Sequence, residues 1–115
     1  MSGSWRFAPI FGVRNVAKAL AHYQRLGFDT REYEGGVYGF ATRDGVELHL
    51  GLVATEDPRT GSAYLFVDDS DALAAEWRAA GVEVFGPEDT EWGQHEGALV
   101  DPDGNTIRFG SPMPR

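Results

Sequence analysis

Hydrophobic and polar positions alternate between two periods along this chain, and the order in which they do so predicts its elements. Over residues 5–13, Phe7, Pro9, Phe11 and Val13 occupy every second position, as in a strand with one face in a core. Pro9 brings no ladder donor, which predicts an edge strand or a bulge there. From Asn15, a residue type suited to an N-cap, Val16, Leu20, Tyr23 and Leu26 recur at helical spacing, and Gly27 supplies the stop. Strands are predicted over 28–33, 37–42 and 46–53, the last two joined by Asp44-Gly45, a pair suited to the positive φ values of a tight hairpin. Residues 54–62 carry no period and read as a link.

The order then recurs. A strand over 62–67 precedes a helix capped by Asp69 or Ser70, carrying Leu73 and Trp77 and stopped by Gly81. A strand over 82–85, a long acidic loop over 86–96 and strands over 97–100 and 105–109 complete the prediction, with His95 in the loop. Asp101-Pro102-Asp103-Gly104 between the last two has the residues of a type I turn. At an offset of 54, Val13 matches Val67, Asn15 matches Asp69, Tyr23 matches Trp77 and Gly27 matches Gly81. The offset then becomes 59, pairing Gly45 with Gly104, Leu48 with Ile107 and Gly51 with Gly110. The expected organisation is an α+β fold, one domain over 1–115, made of a βαβββ module at about 5–54, a linker at about 55–61 and a second module at about 62–110.

Sorting the strands by parity separates the side chains chemically. Phe7, Phe11, Val13, Leu48, Leu50, Leu65, Ile107 and Phe109 share a face that is expected to meet the helices. The other face mixes Ile10, Tyr64 and Phe66 with Glu47, His49 and Arg108. Charges buried without partners cost several kcal/mol, roughly, so this second face is expected to be wet and open to a ligand.

Composition narrows the partners. The 18 acidic and 10 basic residues give a net charge of −8, which disfavours nucleic acid and anionic membranes, suits a cationic ligand, and equally serves solubility. The chain has no cysteine, hence no disulfide, thiolate ligand or thiol nucleophile. No apolar run approaches the roughly 20 residues of a membrane span, and a cytoplasmic protein is expected.

The paired modules, Trp92-Gly93, Asp101-Pro102-Asp103-Gly104-Asn105 and the closing strand with Phe109 resemble the vicinal-oxygen-chelate superfamily, and within it most the bleomycin-resistance proteins. The resemblance implies a curved mixed sheet completed as a homodimer. It also implies a function: non-catalytic sequestration of a cationic or aromatic natural product in a cleft between subunits. An enzyme of the same superfamily with an atypical or absent metal site is the alternative, and an accessory binding module a third reading.

In metal-dependent relatives the ligands come from four places, which the repeat register assigns here to Ala8, His49, Ser62 and Arg108. Only His49 is an ordinary ligand, Arg108 stays protonated, and adding Glu47 still leaves fewer than the three protein ligands usual at catalytic sites. No catalytic residue, metal or cofactor is therefore expected. The expected ligand contacts are Tyr38, Phe40, Glu47, His49, Tyr64, Phe66, Trp92 and Arg108, Tyr38 by its resemblance to a stacking aromatic of the resistance proteins. Trp92 lies among Glu88, Asp89, Glu91 and Glu96, a setting for a flat cation or for a tryptophan that pins its loop. Glu47, His49 and Arg108 can alternatively form an ion-pair cluster on adjoining closing strands. Tyr23 and Trp77 are read as packing.

Overall fold

The computed structural model describes residues 5–53 and 60–113. Its elements are β1 (Ile10–Val13), α1 (Val16–Arg25), β2 (Asp29–Glu32), β3 (Tyr38–Arg43), β4 (Val46–Leu52), β5 (Ser62–Phe66), α2 (Ser70–Ala79), β6 (Phe85–Asp89), β7 (Gln94–Val100) and β8 (Thr106–Pro112). They form two four-stranded mixed sheets, ordered β1-β4-β3-β2 and β5-β8-β7-β6. In each, the first strand runs parallel to the last and the other pairs are antiparallel. The α+β architecture of two βαβββ units is thus present, and most of the unpatterned stretch at 54–62 lies outside the described residues. No helix among the described residues is long and apolar enough to cross a membrane.

Both helices begin on side-chain caps. The Asn15 side chain accepts from the Lys18 amide, and that of Asp69 from the Ala72 amide, so Asp69 is the cap and Ser70 the first helical residue. Helix α1 packs chiefly on β2, β3 and β4, and α2 on β6, β7 and β8. Tyr23 and Trp77 are buried, as their helical phase predicts, among Phe11, Leu26, Leu50, Leu99 and Phe109. Between β3 and β4, Asp44 and Gly45 both take positive φ, 50° and 82°, the turn that their sequence favours.

Three expectations fail. The first strand is shorter: residues 5–9 run beside β4, with the Pro9 carbonyl accepting from the His49 amide, but regular pairing begins only at Ile10. Phe7, assigned by parity to the helix-covered face, is instead 91% exposed, whereas Phe11 and Val13 farther along the same face are buried: Phe7 lies ahead of the paired strand, beyond the edge of the packed core. In the second half, residues 82–84 form no strand, and β6 and the start of β7 occupy the segment expected to be an acidic loop, which places His95 on a strand. An edge strand needs no apolar alternation: β6 pairs only with β7, irregularly between Phe85 and Glu88, and keeps Glu88 and Asp89 in solvent.

Polar side chains tie the modules together. The Asn105 side-chain amide donates to the Gly12 carbonyl at 2.9 Å and accepts from the Gly61 amide at 2.8 Å. Asp101 accepts from the amides of Asp103 and Asn105 and from the Tyr23 hydroxyl, each at 2.9 Å. At the far ends of the helices, the Trp77 indole donates to the Leu26 carbonyl at 2.9 Å, Arg25 reaches the Ala80 and Gly81 carbonyls, and Arg43 pairs with Glu76. Carbonyls that a helix end leaves without an internal partner are thereby satisfied from the other module.

Two histidines make stability depend on pH with opposite signs. His95 donates from Nδ1 to Asp89 (2.8 Å) and from Nε2 to Asp71 (2.9 Å), and these carboxylates raise its pKa, Asp71 most. A raised folded pKa means stability that is fully present below the unfolded value near 6.5, roughly, and lost as pH rises through the folded value. His22 is the reverse case: burial lowers its pKa, and its Nε2 has no hydrogen-bond partner among the described residues. Asp101 and Asp103 oppose that shift and Arg25 adds to it. Its contribution is present above the unfolded value and lost as pH falls. Melting temperatures against pH are expected to fall less on the alkaline side in His95→Gln and less on the acid side in His22→Leu than in the wild type.

Candidate functional site

The sheet faces turned away from the helices carry two separate polar and aromatic clusters. Register across the first sheet aligns Ile10, His49, Phe40 and Arg31, one residue from each strand. Alternation puts Tyr38 and Glu47 on the same face. His49 sits between them, Nδ1 2.9 Å from the Tyr38 hydroxyl and Nε2 2.7 Å from the Glu47 carboxylate. Arg6 reaches both Glu47 oxygens at 2.7 Å, and its guanidinium, followed by His49, holds the Glu47 pKa below the usual carboxylate range. An ionised carboxylate only accepts, so Nε2–H donates to Glu47 and Nδ1 accepts from Tyr38. The Phe40 ring stands edge-on to Tyr38 and His49, and the Arg31 guanidinium lies 4.2 Å from its centroid. A hollow of about 280 Å³ opens here between Arg6, Asp29, Arg31, Phe40 and Glu47.

The second sheet aligns Tyr64, Arg108, Ala98 and Phe85 in the same way. Its centre is Glu96, which accepts from the Tyr64 hydroxyl at 2.9 Å, the Trp92 indole at 3.2 Å and Arg108 at 2.6 Å. Desolvation favours the protonated acid, but the hydrogen bonds from Arg108, Tyr64 and Trp92 outweigh it and lower the Glu96 pKa. Burial and the adjoining carboxylate raise that of Tyr64. The Tyr64 and Phe66 rings lie 4.8 Å apart, and Phe66 and Trp92 are 79% and 61% exposed. An ionised carboxylate thus sits beside solvent-facing rings.

The eight expected contacts therefore divide: Tyr38, Phe40, Glu47 and His49 lie together, as do Tyr64, Phe66, Trp92 and Arg108. Among the described residues no hydrogen bond, ion pair or ring contact joins the two groups. Of the expected Glu47–His49–Arg108 cluster only the Glu47–His49 contact forms, because β4 and β8 belong to different sheets; Glu47 also pairs with Arg6, and Arg108 pairs with Glu96. Sequence reasoning missed Arg6, Arg31 and Glu96 as members. Glu96 was legible: extending the β7 alternation back from Ala98 places it on the open face.

The positions that correspond to ligands in metal-dependent proteins of this fold do not suit an ion. Register sets Ile10, rather than Ala8, beside His49, and Tyr64, rather than Ser62, beside Arg108. Both His49 nitrogens are engaged, and among the described residues no three His, Cys, Asp or Glu side chains are grouped to hold a metal.

The family model for the Glyoxalase/Bleomycin resistance protein/Dioxygenase superfamily matches residues 7–109. The chain belongs to this superfamily. No curated protein matches it in sequence. Among solved members of similar structure is a bleomycin resistance determinant encoded on transposon Tn5, 24% identical, TM-score 0.85, with 95% of this chain and 98% of that one covered. A bleomycin-binding protein complexed with bleomycin is 25% identical, TM-score 0.82, with coverage of 94% and 98%. A lactoylglutathione lyase from Agrobacterium tumefaciens is 17% identical, TM-score 0.74, with 96% of each chain covered. The superfamily fold is thus shared with binders and enzymes alike, and the function has to be argued from the site.

Proposed function

We propose that this protein is a non-catalytic, drug-sequestering protein of the bleomycin-resistance type, which holds a cationic, aromatic natural product against its open face. Glu96 carries the argument: a carboxylate kept ionised and set among Trp92, Tyr64 and Phe66 offers charge and stacking surface to one flat cation. Aromatic stacking and cation–π contact contribute about 0.5–1.5 kcal/mol each, and the net charge of −8 adds long-range attraction. Tyr38, Phe40, Glu47 and His49 form the other half-site, and two copies of the single domain bring a first-module and a second-module surface to one cleft. The homodimer acts in the cytoplasm, without nucleic acid or membrane.

One observation favours a second reading. The Tyr38 hydroxyl, His49 and Glu47 form a phenol–imidazole–carboxylate chain able to move a proton. The two readings separate in a titration with bleomycin followed by tryptophan fluorescence and by mass analysis of the recovered ligand. Sequestration predicts saturable quenching, unchanged ligand mass, and affinity that falls as salt is raised. Absence of quenching, or a chemically altered ligand, contradicts it.

A further inference from the structure

On the open face of the first sheet two charges have no counterpart. Among the described residues every arginine except Arg31 donates a side-chain hydrogen bond, Arg6 to Glu47 and Arg108 to Glu96 among them. Arg31 makes neither a hydrogen bond nor an ion pair there, and its guanidinium lies 4.2 Å from the Phe40 centroid. Asp29, two residues back along β2, is equally without a partner among the described residues. The two share a face. They stand opposite Thr42 and Phe40 of β3, in the order Asp29 to Thr42 and Arg31 to Phe40, while Thr30 between them turns to the helix side and accepts from Gln24 of α1 at 2.6 Å.

Both side chains wall the hollow of about 280 Å³, whose remaining charges, Arg6 and Glu47, neutralise each other. The hollow is therefore neutral as a whole but polarised across its width, positive at Arg31 and negative at Asp29. A simple cation is attracted by Asp29 and repelled by Arg31, and a simple anion meets the reverse. A group that carries both signs satisfies both walls. Contact with Phe40 holds the guanidinium in place, and its planar fork of N–H groups suits the two oxygens of a carboxylate. Two residues of strand separate the Cα atoms of Asp29 and Arg31 by about 6.6 Å, a spacing that a short carboxylate and a long guanidinium can close around one small group. The volume falls just under the roughly 300–1,000 Å³ of sites for whole drug-sized ligands, so it suits a substituent or one small molecule.

We propose that this hollow binds a zwitterionic aminocarboxylate group, its carboxylate on the Arg31 fork and its ammonium on Asp29, with the attached apolar body against Phe40. The proposal rests on the reading of the open face as a receptor, and it adds to that reading the kind of substituent that the first-module half holds. It also gives Arg31 and Asp29 the counterparts that the chain itself does not supply among the described residues.

Phenylalanine, phenethylamine and hydrocinnamate carry the same ring with both charges, the positive one alone and the negative one alone. Each is titrated into the isotope-labelled full chain and followed by amide chemical shifts. Phenylalanine is expected to give saturable shifts in β2 and β3 around Arg31 and Phe40, with the other two probes weaker by about tenfold or more. Arg31→Gln should remove the preference for phenylalanine over phenethylamine, and Asp29→Asn the preference over hydrocinnamate. Both side chains are exposed on an edge strand, so the fold should be kept, and the same spectra report it. Phenethylamine or hydrocinnamate binding these residues as tightly as phenylalanine overturns the proposal. So does the absence of saturable shifts there, or a preference that survives unchanged in both variants. Failure of phenylalanine to bind, beside saturable quenching by bleomycin, removes this subsite alone; the converse result removes the sequestration reading alone.

Discussion

Replacing Asn105 by Ala is expected to lower the thermal midpoint by roughly 10–15 °C, through a loss of about 3 kcal/mol. Its side chain is completely buried and is, among the described residues, the only partner of the Gly61 amide, while its own amide donates to the Gly12 carbonyl and to Asp101. Alanine removes these bonds and admits no replacement partner, so backbone groups from the first module and from the entry to β5 are left desolvated and unpaired. Each such group costs about 1–3 kcal/mol, more than the net value of a hydrogen bond gained on folding. Asn105→Asp should be at least as damaging, since it sets a second carboxylate beside Asp101, 3.0 Å from the present amide nitrogen. Arg14→Ala is the matched control. Arg14 binds Asp103 in the same turn, but its side chain is half-exposed, and the loss should stay within about 1 kcal/mol. Differential scanning calorimetry distinguishes the pair; equal small effects for Asn105→Ala and Arg14→Ala would show that the turn does not join the modules.

Glu96→Gln is expected to weaken binding of a cationic aromatic ligand by about 10- to 100-fold, equivalent to about 1.4–2.8 kcal/mol, while leaving the thermal midpoint nearly unchanged. Glutamine is isosteric and retains an oxygen for Tyr64 and Trp92, but it removes the negative charge and leaves Arg108 facing the ligand without its counter-ion. The site therefore loses the carboxylate that attracts a cation and keeps the guanidinium that repels one. Trp92→Ala, which deletes a 61% exposed ring, should cost about tenfold through lost stacking and likewise spare the fold. A neutral aromatic probe should respond to Trp92→Ala and hardly to Glu96→Gln. Calorimetric titration of both variants with bleomycin and with such a probe tests this; equal losses for both ligands in Glu96→Gln contradict an electrostatic role.

Much of the fold is written in local signals that work within a few residues. Asn15 and Asp69 state where helices begin, Asp44-Gly45 states where a hairpin turns, and Tyr23 and Trp77 share a helical phase that buries both. β6 could not be read because its pairing rests on backbone bonds to β7, and an exposed edge strand leaves charged side chains free to break the apolar alternation. Phe7 was misplaced for the opposite reason. Its alternation continues that of the buried Phe11 and Val13, but where along the strand the packed core ends is set by tertiary packing, and no period in the sequence encodes that. The site follows the same division. Parity correctly put Glu47, His49, Tyr64 and Arg108 on the open faces, whereas the partners of those charges, Arg6 and Glu96, depended on which strands became neighbours.

The most direct test is a calorimetric titration of chelator-treated protein with metal-free bleomycin. A receptor whose own side chains supply the carboxylate and the rings, with no resident ion, is predicted to release saturable heat without added metal and to lose affinity in Glu96→Gln. Heat that appears only after a divalent metal is restored to the protein, or no heat under either condition, contradicts that account.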